Sequence, residues 1–553
     1  MRRFLTTILL VCLLAGCGGG GGGGSPESTP VDNAPDSNSE PDPTEILLLD
    51  SVPARSAPSI DAGSGTFNFA HLAQSDLNIS LDGDCADLRG NTLRRSLLDV
   101  AGTEVDEIID HHVSCSLEEN ASYQIDANGT RSSDARFQAS LAFSTGTSAS
   151  TSVTVQDSVS IPQSAINDLF QDYVEGALIS ELEVPGLIES LIIDLVTGLA
   201  EANWGTLTDP DPLYAVVAER ITYSSRSPSG APSDNLSGLV ARPVTGDGFT
   251  PRDRFIILTH ATGSTPGDLN AADAWFILAN MFASRGYLVV AADNYGRGAS
   301  SDQEETYLMA NRTAYNTLDL ARRVLNDSSY ANAYSGNEAA VIGYSQGGHS
   351  AIAVWLMHEL QASSGIDISL VYAGGAPHNL YQTVRGVLRH IDGSCGDAFC
   401  EYVDDETTVP FATERILPAL FAYTNTGLSL NEVVTDDTIT DAFISGFLAN
   451  DAEYDTIKSL LQLNSFTNIS NANVLSASNA IVHLYHSDYD RLVPAANTDE
   501  LAAILEASVG VDYHQNHCNS EGYEAIFNLT DRVGVVHTLC GLSVLDDAMQ
   551  DLQ

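Results

Sequence analysis

Residues 339–350 read AAVIGYSQGGHS, and the reading of this stretch decides the fold. The run 338–345 (EAAVIGYS) has the apolar composition of a fully buried strand, and 347–362 (GGHSAIAVWLMHELQA) that of a helix. Between them, G-Y-S-Q-G leaves Ser345 at a strand-to-helix turn. Side chains at 343 and 347 would meet neighbouring backbone in so tight a turn, which is the reason to expect Gly343 and Gly347 there. The strain of the turn lifts the serine hydroxyl into the open. The helix start adds backbone N–H groups, and that of Gln346 is placed to meet a developing oxyanion. The five-residue pattern alone is weak in a chain this rich in serine and glycine. Joined to the strand, the helix and both glycines, it makes Ser345 a candidate nucleophile.

The same rhythm extends on both sides. RFIILTHA (254–261), YLVVAADNYGRG (287–298), DISLVYAGGAP (367–377) and NAIVHLYHSD (479–488) read as buried strands ending in small or polar residues. DAWFILANMFASRG (273–286) and NTLDLARRVLN (316–326) read as helices between them. Apolar strands alternating with helices predict an α/β fold: a largely parallel sheet covered on both faces, with reactive groups at the carboxyl ends of its strands.

In this order the segments THATGS (259–264), AADNYGRG (291–298), GYSQGG (343–348), AGGAP (373–377) and YHSDYDRLVP (485–494) resemble the α/β-hydrolase superfamily. GYSQGG and AGGAP most resemble secretory lipases of the lipase A type. The resemblance covers about residues 214–553, within a catalytic domain read as 206–553, and implies a serine esterase or lipase without a cofactor. It also implies the chain order Ser, acid, His for a triad. Aligning Val493-Pro494 on the family's Asp-x-x-Val-Pro loop places the acid at Asp490, with Asp488 as the alternative nearer the strand end. Of thirteen histidines, His537 in DRVGVVHTLCG suits the loop after the last strand, and His517 is the runner-up. His260, His349 and His486 are read as structural. Relatives carry His-Gly after the third strand where this chain has His260-Ala261. The second oxyanion N–H is therefore assigned to Thr262, with Ala261 as the alternative. Residues 378–478 exceed what the bare fold needs and contain helical stretches at 413–425 and 439–451, as expected of a cap that builds an acyl pocket or thickens the scaffold.

The N-terminal part is of another kind. MRRFLTTILLVCLLAGC (1–17) has a positive start, an apolar stretch and a small-residue ending, the pattern of a secretory signal. Leu14-Ala15-Gly16-Cys17 resembles the bacterial lipobox, which implies lipidation at Cys17; Cys12 fits less well, with Val11 before it. Residues 18–45, seven glycines and then a Pro- and acid-rich run, form a tether that buries no core. The expected location is outside the cytoplasm, lipid-anchored to a bacterial outer membrane or released from it. Residues 46–205 read as an α+β region with no motif. Alternation in 136–143 and 152–155 around STGTS predicts a β-hairpin, and 163–203 predicts two helices broken near Pro185-Gly186, the second nearly all apolar.

A net charge of −49, with Lys458 the single lysine, excludes nucleic acid as a partner and is an expected adaptation to a salty medium. The expected partners are an ester substrate and, through the anchor alone, a membrane. Six cysteines follow the signal. Their even number in an exported chain favours disulfides, and chain proximity pairs Cys85 with Cys115, Cys395 with Cys400, and Cys518 with Cys540. No C-x-x-C or H-E-x-x-H spacing marks a metal site, and His111-His112 beside Asp110 is read as a solvated helix end. Two rival functions share these residues: a peptidase using the same triad, and a surface-binding lipoprotein with a vestigial site.

Overall fold

The computed structural model describes residues 59–552 apart from 74–77, 82–84, 87–91, 119–120, 131–135, 149–152, 170–203, 210, 227–231, 247, 361–364, 402, 404, 406–407, 425 and 519–534. The signal, Cys17, the tether and most of the 163–203 helical reading lie outside the described residues, where only 163–169 is seen, as helix.

A nine-stranded sheet organises the chain. Its strands are β1 (Thr154–Ile161), β2 (Val216–Arg226), β3 (Pro232–Pro243), β4 (Arg252–Thr259) and β5 (Val289–Ala292), then β6 (Tyr334–Tyr344), β7 (Asp367–Gly374), β8 (Ile481–His486) and β9 (Asp512–His517). They lie in the order β9-β8-β7-β6-β4-β5-β3-β2-β1. All pairings from β5 through β4, β6, β7 and β8 to β9 are parallel, and β3, β2 and β1 add antiparallel pairs at one side. This is the mostly parallel α/β sheet that the strand–helix rhythm predicts.

The strands are apolar throughout because both faces are covered, yet each still alternates. Ile256 and Leu258 of β4, with Ala340, Ile342 and Tyr344 of β6, enter one core beside the helices Ala274–Ser284 and Val535–Asp551. Phe255 and Ile257, with Ala339 and Val341, enter the other beside Ala310–Asn326 and Gln346–Leu360. Each such aliphatic side chain, fully buried, contributes about 1.5–3 kcal/mol, so a one-residue slip of β4 or β6 would forfeit both cores at once. The third core lies among helices between Leu380 and Leu463, with Leu97 and Ile108 from the N-terminal region packed into it.

That N-terminal region is a seven-stranded sheet over residues 59–148. Two local expectations change here. Arg136–Ser148 runs through STGTS as one strand and pairs with Ser122–Thr130, while Thr154–Ile161 leaves this sheet and pairs with β2. Ser and Thr serve a strand as well as a turn, so the polar STGTS was not the break it resembled. His111-His112 lies inside the strand Glu104–Leu117, paired with Ser59–Leu72, rather than at a helix end. No group of His, Cys, Asp and Glu suited to a metal ion occurs among the described residues.

The strand Thr92–Leu98 fastens this sheet to the helical layer. Ser96 N–H donates to Asn468 O at 2.8 Å, and Ser470 N–H to Arg94 O at 2.9 Å. Leu98 exchanges bonds with the Gln462 carboxamide at 2.6 and 2.7 Å. The fully buried Arg95 reaches the carbonyl of Ser465.

Candidate active site

β6 ends at Tyr344, the helix Gln346–Leu360 begins at Gln346, and Ser345 alone makes the turn at φ 57°. A non-glycine residue in this left-handed region is strained by about 1–2 kcal/mol, and the strain is held by fixed neighbours. Ser345 N–H donates to Gly374 O at 2.8 Å, and His349 N–H closes the first helical turn on Ser345 O at 3.2 Å. A Cβ on Gly343 would stand 2.1 Å from Gly347 O, and one on Gly347 would stand 2.0 Å from Thr259 O. The two glycines are steric necessities, as the sequence predicts.

Asp490 and His537 meet. His537 Nδ1–H donates to Asp490 Oδ2 at 2.7 Å, and both side chains are buried. Asp490 Oδ1 accepts from the N–H groups of Leu492 and Val493 at 2.9 Å each, so the carboxylate also orders its own loop. Burial would raise its pKa, but the imidazoles of His537 and His486 outweigh that and hold it well below the usual carboxylate range. His486, a structural histidine on the sequence pattern, supports that carboxylate: Nε2 lies 3.4 Å from Asp490 Oδ2 while donating to Val493 O at 2.8 Å. Thr498 Oγ1 stands 2.7 Å from Nδ1, donating its hydroxyl proton.

His537 differs from expectation in its setting. It lies in the first turn of the helix Val535–Asp551 rather than on a loop. Tyr344, next to Ser345, bonds the carbonyl of His537 through its hydroxyl, and the two rings lie 5.0 Å apart. Tyr344 also accounts for AGGAP, since a Cβ on Gly375 would stand 2.4 Å from its hydroxyl and one on Gly374 2.9 Å from its ring. The alternative pair also forms: His517 Nδ1 lies 3.1 Å from Asp488 Oδ1, but both side chains are about half exposed (49% and 56%).

The oxyanion candidates sit on adjoining elements. Gln346 heads the helix that follows Ser345, where the first N–H groups have no intrahelical acceptor. Thr262 follows β4 in a turn closed by Ser264 N–H to Ala261 O at 3.2 Å, and its hydroxyl meets Tyr307 OH at 2.9 Å. His260 is buried against Asp293 O and Asn294 Nδ2, and His349 against Asn464 O, both in structural contacts. Of the paired cysteines, Cys395–Cys400 and Cys518–Cys540 are disulfides. Cys85 stands opposite Cys115 in the antiparallel register.

Ser345 lines a small pocket together with Tyr307, Leu308, Val384, Val387, Phe411 and Ile416 among others. Much of its lining comes from the helices after residue 378, including a π-helical segment Ala412–Ile416. A π-bulge there fits Pro418, which removes a helical donor just downstream.

The secretory lipase family profile matches residues 269–530, a span that holds Ser345 and Asp490. Among solved structures, the rice cell wall degrading esterase LipA from Xanthomonas oryzae aligns with 18% identity and a TM-score of 0.51, over 72% of this chain and 99% of its own. A Legionella pneumophila protein described as a hydrolase aligns at 18% identity, TM-score 0.44, over 64% of this chain and 95% of its own. The closed state of Candida antarctica lipase A aligns at 13%, TM-score 0.32, over 72% and 90%. No curated protein matches the chain in sequence. The chain has the α/β-hydrolase fold and is similar to the secretory lipases. The profile match and the fold together support a carboxylic ester hydrolase.

Proposed function

We propose that this α/β-hydrolase is an exported serine esterase that cleaves neutral carboxylic esters with an apolar acyl group. The observation that carries the reading is the buried Asp490–His537 pair beside the strained turn of Ser345, at the mouth of an apolar pocket. Donation from Nδ1–H to Asp490 fixes the tautomer of His537 and leaves Nε2 unprotonated to act as base. Nε2 takes the Ser345 hydroxyl proton as Oγ forms a bond to the ester carbonyl carbon. The N–H groups of Gln346 and Thr262 receive the oxyanion. Collapse breaks the carbon–oxygen bond to the alcohol, which leaves with the proton from His537. Water then repeats the sequence on the acyl-enzyme and releases the acid. Asp490 keeps its charge throughout and stabilises the imidazolium.

The acyl group is assigned to the pocket because its named lining side chains are apolar or hydroxylic, with no cation to greet a charged acyl group. The helices after residue 378 act as its cap. Cys17 carries the lipid and residues 18–45 the tether, which holds the enzyme near the membrane surface.

The test is Ser345→Ala against a series of p-nitrophenyl esters from acetate to palmitate, with a peptide anilide as control. Ester hydrolysis should fall by roughly 10⁴-fold or more with the fold intact, and the anilide should be a poor substrate for the wild type. Near wild-type ester turnover in Ser345→Ala would end this reading, and efficient anilide cleavage would move it to a peptidase.

A further inference from the structure

The buried carboxylate of Glu305 meets neither backbone N–H of the proposed oxyanion hole, yet hydrogen bonds and an ion pair link it to the Gln346 side chain and to the turn that carries Thr262. Its Oε1 accepts from Gln346 Nε2 at 2.7 Å, and so holds the side chain of the residue that heads the nucleophile helix. Its Oε2 lies 3.3 Å from Arg297 Nη1. Arg297 in turn donates from Nη2 to Gly263 O at 2.5 Å and to Thr265 Oγ1 at 3.0 Å, on the turn that carries Thr262. Two residues beyond Glu305, the hydroxyl of Tyr307 meets that of Thr262 at 2.9 Å. The chain is shaped to bring Glu305 here: Gly296 takes φ 90°, and a Cβ on it would stand 2.3 Å from the Glu305 Cα. This gives AADNYGRG a reason beyond ending a strand.

We propose that Glu305 is a positioning residue that fixes the separation of the Gln346 and Thr262 N–H donors, acting through Gln346 on one side and Arg297 on the other. A third link runs to the cap. Arg415 Nη1 lies 3.6 Å from Glu305 Oε2, and Arg415 belongs to the π-helical segment whose Ala412 and Ile416 line the pocket. The same carboxylate therefore senses whether the pocket wall is seated. Its charge matters because a carboxylate held between two guanidinium groups and an amide keeps one geometry, whereas a neutral amide there would lose both ion pairs.

The role rests on the serine esterase reading, and the experiment separates the two. Wild type, Glu305→Gln and Glu305→Asp are compared by kcat and KM on p-nitrophenyl butyrate and by affinity for an alkyl trifluoromethyl ketone. The ketone's serine adduct places an oxyanion in the hole. Loss of one oxyanion donor costs about 10²–10³ in kcat, so misplacing one should cost about tenfold or more. Glu305→Gln should lower kcat by that factor with KM within about twofold, lower ketone affinity in parallel, and be partly rescued in Glu305→Asp. If Glu305→Gln does not fold, Gln346→Leu breaks the same link from the other side and should show the same parallel loss. A folded variant with unchanged kcat, or with reduced kcat but unchanged ketone affinity, overturns the proposal while leaving the esterase reading in place. A wild type that neither hydrolyses the ester nor binds the ketone removes the reading itself, and the role of Glu305 with it.

Discussion

Asp490 holds His537 at 2.7 Å from one carboxylate oxygen while its other oxygen caps the backbone N–H groups of Leu492 and Val493. One side chain thus fixes the His537 ring and shapes the loop that presents the carboxylate. The Val493-Pro494 sequence is the mark of this arrangement, because Val493 N–H is one of the two donors and Val493 O accepts from His486.

Asp490→Asn should accordingly cut kcat by about 10⁴-fold, since an amide in place of the carboxylate favours the wrong tautomer of His537. Asp488→Asn, at an exposed carboxylate that meets His517, should change kcat by less than about threefold. Steady-state rates on one ester decide between the two acids, and reversed magnitudes would assign the role to Asp488.

Buried histidines predict a pH dependence of stability separate from catalysis. Burial pushes His349 down to about 4, outweighing the bond its Nε2–H makes to Asn464 O at 2.9 Å. Burial, with His349 and His486 as neighbours, also lowers His378 well below the ordinary range. Unfolded, these groups take up protons near pH 6.5; folded His349 resists until about pH 4. Between those values the unfolded chain binds more protons, so stability is full above about pH 6.5 and declines as pH falls. His349 alone accounts for about 3 kcal/mol across that window. Urea denaturation at pH 7.5 and pH 5 should show the loss, and His349→Gln should reduce it; an unchanged pH slope in the variant would exclude His349 as a source.

Legibility in the sequence followed the range of the forces involved. The elbow was readable because its constraint is local: Gly343 and Gly347 answer clashes with backbone that a strand-to-helix turn always brings near. Asp490 and His537 lie 47 residues apart, and their contact was reachable only through the order of motifs. Glu305 had no such signal among 73 acidic residues. The one hint was Arg297 beside Gly296, a cation within a glycine-rich turn after a strand. Thr154–Ile161 was misplaced because its partner, β2, begins more than fifty residues later, and alternation alone does not name a partner. His111-His112 was misplaced for the same reason, its strand pairing with Ser59–Leu72.

The disulfide Cys518–Cys540 ties the end of β9 to the helix that carries His537. Its two cysteines are 22 residues apart, so closing that loop in the unfolded chain stabilises the fold by roughly 3 kcal/mol. Its place gives it a second consequence. Cys540 lies three residues after His537, nearly one helical turn on, and Cys518 N–H is bonded to His486 O at 2.9 Å, next to the strand end that leads to Asp490. The bridge therefore spans the two segments whose side chains, Asp490 and His537, are hydrogen-bonded. Cys540→Ser should lower the thermal midpoint and also lower kcat, because a first turn free to shift by even an ångström no longer holds His537 on Asp490. Reduction of the wild type should act in the same direction, whereas Cys395→Ser, which opens the short Cys395–Cys400 loop, should leave kcat near wild type. Thermal melts and ester kinetics on the two variants separate the effects. A Cys540→Ser protein that melts earlier but keeps its kcat below the melt would confine the bridge to stability.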